Sequence, residues 1–189
     1  MLAKVPDYPD QLAPAGEWGV LKVSAIWPEG FRPQENKWVT KAMHQIPAFQ
    51  VSDGDLLISR SNTYELVGLV SIVTDAPPRL MLCDKTLRLR LKRKHGLNMF
   101  FFFLLQTWIA RRQVQVNATG RSGSMKNISQ DVIRALQLAY PNIKEQERIL
   151  AAVAPINGEV EALRCELNKL GALKSGLMVD LLTGRVRVP

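Results

Sequence analysis

The side chains that could carry covalent chemistry in this sequence are few, and their spacing argues against catalysis. Asp53 and Asp55 are a carboxylate pair, but they flank Gly54 and read as turn formers. A metal-dependent nuclease core would instead need a carboxylate pair and a lysine on adjoining strands. Ser59 and Ser61 have no nearby histidine to activate them. Asp75-Ala76-Pro77-Pro78 has the wrong spacing, and Arg79 where an aromatic belongs, for the Asp/Asn-Pro-Pro-aromatic motif that grips an amine in methyl transfer. It reads as a turn. Gly120-Arg121-Ser122-Gly123 lacks both the Gly-Lys-Ser/Thr ending of a phosphate loop and the glycine spacing of a dinucleotide fingerprint. Cys83, Cys165, His44 and His95 are too few for a zinc site, and a disulfide between the two cysteines is not expected. No catalytic residue, metal site or cofactor is assigned.

Binding chemistry is better represented. The net charge of +8 is uneven: Met1–Tyr140 holds 18 basic and 11 acidic residues, Pro141–Pro189 only 7 and 6. Between Lys85 and Lys126 there are ten Lys or Arg and no Asp or Glu. A surface of that bias attracts polyanions, of which a phosphodiester backbone is the commonest. Binding DNA requires cations for phosphates and amide or guanidinium groups for base edges. The candidates are Arg60 and Asn62; Arg88, Arg90, Lys92, Arg93 and Lys94; Arg111 and Arg112, with Gln113 beside them; and Arg121, Ser124, Lys126 and Asn127. The loop from Thr119 to Asn127 suits close approach, because its glycines leave the backbone bare and cations bound it. For any one of these residues a solvated side chain or a turn former is an equal reading. Trp18, Trp27, Trp38 and Trp108 read as core or core-edge residues.

These candidates must be positioned by short elements. Alternation and β-branching predict strands over Trp18–Ile26, Leu56–Arg60, Leu66–Val73 and Leu80–Leu91, the last with Leu87, Leu89 and Leu91 on one face and Arg88, Arg90 and Lys92 on the other. Ser61-Asn62-Thr63 reads as a loop, and Lys37–Met43 as a short helix or turn. Asn98–Arg112 reads as one buried helix, too short to span a membrane, followed by a loop over Gln113–Ser124 and a short helix over Ile128–Leu136 with Ser129 as N-cap.

The C-terminal segment has a different period. Ile149, Val153, Ile156, Val160, Leu163, Leu167, Leu170, Leu177 and Leu181 follow the four-three alternation of a coiled-coil seam up to Leu170. Lys174 takes the next seam position, either setting register or marking drift of the seam onto Leu173. Pro155 lies inside this helix and is expected to kink it near Ala151–Ala154. A seam of this length calls for a partner helix.

Several segments together resemble one family, the DNA-specificity subunits of type I restriction–modification enzymes. They are Asp53-Gly54-Asp55-Leu56-Leu57-Ile58-Ser59-Arg60 with Leu66-Val67-Gly68; Asp84-Lys85-Thr86-Leu87-Arg88-Leu89; Thr119-Gly120 with Ser124-Met125-Lys126-Asn127-Ile128; Pro141 with Glu145-Gln146-Glu147-Arg148-Ile149; and Leu181-Leu182-Thr183-Gly184. The resemblance runs in family order from about Glu17 to the end. It implies a target-recognition domain followed by a helical region, two such pairs in a full-length member, and helices packed antiparallel as a spacer. Here one pair is present, and the family's opening strand and glycine-rich loop are missing ahead of Glu17. A half-subunit, a truncated relic and a fragment all fit.

The expected fold is therefore α/β (α+β): an irregular segment over residues 1–16, a mixed-sheet target-recognition domain over 17–141, and a long coiled-coil-like helix over 142–189. The expected function is non-catalytic, sequence-specific recognition of double-stranded DNA that positions methyltransferase (modification) and nuclease/translocase (restriction) subunits, in the cytoplasm, with homodimerisation through the helix. The alternative is a multimerising structural or adaptor protein whose basic face is incidental.

Overall fold

The computed structural model describes residues 10–92, 94–120 and 125–187. Two compact units divide the chain, the first ending at Gln146 and the second beginning at Glu147. Among the described residues of the first unit, four small sheets and three short α-helices pack with an apolar core. Strands β1 (Gly19–Leu21), β2 (Ile26–Trp27), β3 (Gly30–Phe31) and β4 (Asn36–Trp38) come first. They are followed by β5 (Leu56–Ser59), β6 (Ser61–Asn62), β7 (Val70–Ile72), β8 (Leu80–Met81) and β9 (Thr86–Leu89). Helices α1 (Asn98–Gln106) and α2 (Trp108–Val116), strand β10 (Lys126–Asn127), helix α3 (Gln130–Arg134) and helix α4 (Ile143–Leu182) complete the order.

Strand β5 is the centre. It is antiparallel to β7 on one side and β9 on the other, with Leu57 opposite both Ser71 and Arg88. All four of its residues are buried, as expected of a central strand whose sequence is Leu-Leu-Ile-Ser rather than alternating. Leu57 joins Leu21, Ala25, Ile26, Val51, Val73 and Leu80 in the main core. A second sheet, β4–β1–β8, contains the parallel pairing of Gly19 with Leu80 and Val20 with Met81. Mixed α+β architecture with a long C-terminal helix is thus observed, although the strands are distributed over several small sheets.

At several of the places where the elements differ from expectation, local hydrogen bonding or packing accounts for the break. The stretch Leu80–Leu91 splits into β8 and β9 because Cys83–Thr86 turns, with the Thr86 hydroxyl donating to the Cys83 carbonyl at 3.2 Å. The single helix expected over Asn98–Arg112 is two. Thr107 is extended (ψ 150°), donates its hydroxyl to Leu104 O at 2.7 Å and accepts from Ala110 N at 3.4 Å, capping α2. Residues 113–116, expected in a loop, continue α2. The strand expected from Leu66 begins only at Val70. Gly68 has φ +74°, and a Cβ there would stand 2.3 Å from Val114 Cγ1 of α2, so the close approach of this turn to the helix requires glycine. Trp18–Ile26 is divided by a single 3-10 turn, Val23–Ala25, and Lys37–Met43 is part strand, part 3-10 turn. Ser129 caps α3 as expected, accepting from Val132 N at 3.2 Å.

The first turn of α4 belongs to the globular unit. Gln146 is fully buried; its amide nitrogen donates to His95 O at 2.9 Å and Pro141 O at 2.8 Å, and its oxygen accepts from Leu97 N at 3.0 Å. Three backbone groups around the start of α1 and α4 thereby find partners out of water. Replacing Gln146 by Leu is expected to lower stability by about 2–3 kcal/mol, because those groups would be left unsatisfied. Urea unfolding of the full chain, followed by circular dichroism, measures it.

Candidate nucleic-acid interface

The predicted DNA contacts come from sequence segments some sixty positions apart, and the fold joins part of them. Strand β6 is not a loop; it pairs antiparallel with β10, Asn62 opposite Lys126 and Ser61 opposite Asn127. Asn127 also bridges Thr119 through two backbone hydrogen bonds of 2.8 and 2.9 Å, which closes the 119–127 loop at its base. The Ser61 hydroxyl donates to Asn127 Oδ1, and Lys126 Nζ donates to Gly120 O at 2.8 Å. Gly120 takes φ +136°, and a Cβ on it would lie 2.7 Å from Met125 O. The glycine is needed for the loop to close, not merely tolerated in it.

Arg60 joins this ribbon to the rest. Its N–H donates to Lys85 O at 2.8 Å, its carbonyl accepts from Ile128 N at 2.9 Å, and its Nε donates to Ile128 O at 3.3 Å. Four predicted residues, Arg60, Asn62, Lys126 and Asn127, therefore lie on one two-stranded ribbon. Of the amides, Asn127 is exposed but its oxygen accepts from the Ser61 hydroxyl. Asn62 accepts from Thr63 N at 2.9 Å, while its amide nitrogen makes only a 3.4 Å contact with Ser59 Oγ.

Other predicted cations are occupied by the fold. Arg88 pairs with Asp55 at 3.3 Å, donates to Gln50 O and is only 16% exposed, so it is not part of an outward cationic face. Arg111 donates to Val67 O and Glu65 O, both at 2.7 Å. Burial pulls its guanidinium below the ordinary arginine pKa. Gln113 makes two bonds of 2.9 Å with the backbone of Gln137 and is likewise committed. Arg90, Lys92, Lys94 and Arg112 are exposed. Arg93, Arg121 and Ser124 lie outside the described residues.

Two features had no signal in the sequence. Arg90 shares a groove of about 290 Å³ with Gln130 and Arg134 of α3, two residues that neither spacing nor charge marks out. Trp108, expected in or near the core, is 71% exposed. With the N-cap at Thr107, it starts a new helix instead of continuing a buried one. The carboxylates show structural use: Asp53 accepts from Ala76 N and Asp55 from Ser52 N, both at 2.9 Å. Cys83 and Cys165 are free thiols, and burial raises the Cys83 thiol pKa.

A mixed α+β module with a long helical arm is the class this architecture defines. Residues 13–169 match the family model of the type I restriction modification DNA specificity domain, and the chain belongs to that family. The specificity subunit of type I restriction enzyme EcoEI from Escherichia coli is 28% identical over 136 residues, 72% of this chain and 23% of that protein. The putative type I restriction enzyme MjaX specificity subunit from Methanocaldococcus jannaschii is 22% identical over 138 residues, 73% and 32% of the two chains. The S subunit of a type I restriction–modification system from M. genitalium has the same fold, with TM-score 0.58 at 16% identity over 90% of this chain and 43% of that one. A chain from the structure of a type I system described for its assembly and conformational transition gives 0.56 at 19% identity, over 96% and 47%. The chain thus spans about a quarter to a third of the curated relatives it matches, and under half of the solved ones.

The different settings of the two adjacent arginines give a test. Arg111→Gln is expected to cost about 1–3 kcal/mol by stranding two carbonyls, whereas Arg112→Gln should stay within about 0.5 kcal/mol. Thermal melts of the two variants compared with wild type decide it.

Proposed function

We propose that this chain recognises a defined sequence in double-stranded DNA and positions the modification and restriction subunits of a type I system there, itself catalysing neither reaction. The observation that carries the reading is the β6–β10 ribbon. In a member of the DNA specificity family, it gathers Arg60, Asn62, Lys126 and Asn127 from two distant segments onto one edge. Arg60 and Lys126 supply cations for phosphates, and Asn62 has an amide with donor capacity to spare for a base edge. The carboxylates and serines with catalytic potential are spent on turns and on the ribbon.

Double-stranded oligonucleotides binding to the full chain at several salt concentrations test this. The logarithm of affinity should fall linearly with the logarithm of salt, and a preference among sequences should survive competitor DNA. A chain that forms no salt-dependent complex with any duplex would instead be the adaptor of the alternative reading.

The arm supports a second part of the proposal, self-association. Helix α4 runs through Pro155 without ending, and its seam is exposed: Leu163 by 58%, Leu167 by 69% and Leu170 by 56%. Among the described residues no helix is long and apolar enough to cross a membrane, so a membrane does not cover that stripe as a spanning segment. Two arms packed antiparallel would cover it, at about 25 cal/mol per Å² of apolar surface removed from water, and would build a twofold dimer reading a palindromic split site. Leu163→Asp with Leu170→Asp should convert dimer to monomer in equilibrium sedimentation. Wild type that stays monomeric at tens of micromolar would favour an arm folded back on its own domain.

A further inference from the structure

We propose that the groove between β9 and α3 is a phosphate seat that holds a phosphodiester of the DNA running past the β6–β10 ribbon, an inference that rests on the DNA-recognition reading above. Leu87 and Arg88 from β9, Arg90 just beyond it, and Gln130, Ile133 and Arg134 from α3 line the groove. The leucine and isoleucine give it an apolar floor, which weakens the competition of water for any anion lying there.

The polar groups have unequal freedom. Arg88 is a wall, its guanidinium already held by Asp55 and Gln50. Arg90 is exposed and has no partner among the described residues. Arg134 is held in a fixed orientation, its Nη2 donating to Gln130 Oε1 at 3.1 Å and its Nη1 to Asp131 Oδ1 at 3.2 Å. The Asp131 pair is solvent-exposed on both sides (71% and 89%), and such pairs contribute little, so a phosphate can compete for the guanidinium. Asp131 is the acidic group facing Arg134, and Asp55 the one facing Arg88. Lys92 and Lys94 continue the row of exposed cations from Arg90.

Position makes the bound anion a polymer's phosphate. The ribbon is joined directly to each of the two elements that line the groove. On one side only Ile128 and Ser129 separate β10 from α3. On the other, Arg60 of the ribbon bonds Lys85, the residue before β9. A strand lying along the ribbon therefore meets the groove next. A phosphate held this way fixes the register of the duplex without any reading of its bases.

The experiment uses the full chain and fluorescence anisotropy over a salt series, with duplexes of several sequences. Arg90→Gln with Arg134→Gln should weaken binding by about tenfold or more, to the same degree on every duplex. The salt slope should flatten by about two units, roughly 0.9 for each phosphate no longer neutralised. Arg90→Lys with Arg134→Lys should keep the slope, and so should the equal charge removal Lys169→Gln with Arg187→Gln, two exposed cations of the C-terminal unit off the seam. The exposed setting of Arg90 and Arg134 predicts unchanged thermal melting, which separates a missing phosphate ligand from a misfolded chain. If wild type binds DNA and the double glutamine variant binds equally well, the seat is refuted while DNA recognition stands. A weakening confined to some sequences would make the groove a base reader and overturn the inference. A wild-type chain that binds no duplex removes both readings together.

Discussion

The arrangement of the basic edge depends on the backbone of one residue, Arg60. Its N–H bonds the segment that begins β9 and its carbonyl bonds the segment that ends β10, so three chain segments meet there at hydrogen-bonding distance. Strand β5 is buried on both faces, and the chain leaving it must either end its pairing or exchange partners. It exchanges, from β7 and β9 within the central sheet to β10 outside it. Unpaired backbone groups at that junction would be costly, and the exchange satisfies them.

Two glutamines do for the helices what strand pairing does for the sheets. A primary amide carries a donor and an acceptor side by side and can bond a backbone N–H and carbonyl together. Gln113 does this with both polar groups of residue 137, tying α2 to the chain after α3. Gln146 does it with the chain before α1 and the chain before α4. Short helices without a common face can be held this way where apolar packing alone would leave them poorly fixed.

Much of this was legible in the sequence where the signal is local. The Leu-Leu-Ile-Ser strand, the Ser129 cap and the four-three seam of α4 follow from residue type and spacing. The architecture class and the family follow from several such segments in order. What the sequence did not disclose is non-local. Nothing in Ser61-Asn62 announces a strand, because its partner lies more than sixty residues away and each strand is only two residues long. Arg88 looks outward by alternation, yet an acidic residue at the start of the neighbouring strand, Asp55, draws its guanidinium into the structure. The unbroken apolar run Met99–Leu105 hid the break at Thr107, whose capping role depends on geometry and not on hydropathy. Arg134 carries no signal along the chain because its neighbour Asp131 cancels its charge, while the groove it lines is a property of the surface.

The loop between β6 and β7 has a consequence for how such a protein can change over generations. It is held from outside by Arg111 and Gln115, which reach Glu65 O, Val67 O and Tyr64 O. All three acceptors are main-chain carbonyls, which every amino acid possesses. The fold therefore constrains the path of this loop without constraining the side chains at Tyr64 and Glu65, both of which are exposed. Mutations there can accumulate at little cost to stability, since the anchoring residues lie in a separate segment of the gene product. At Tyr64 and Glu65 the fastening is indifferent to the side chain it holds, so these two positions suit drift and selection for new surface chemistry at fixed geometry, whereas Gly68 in the same loop does not.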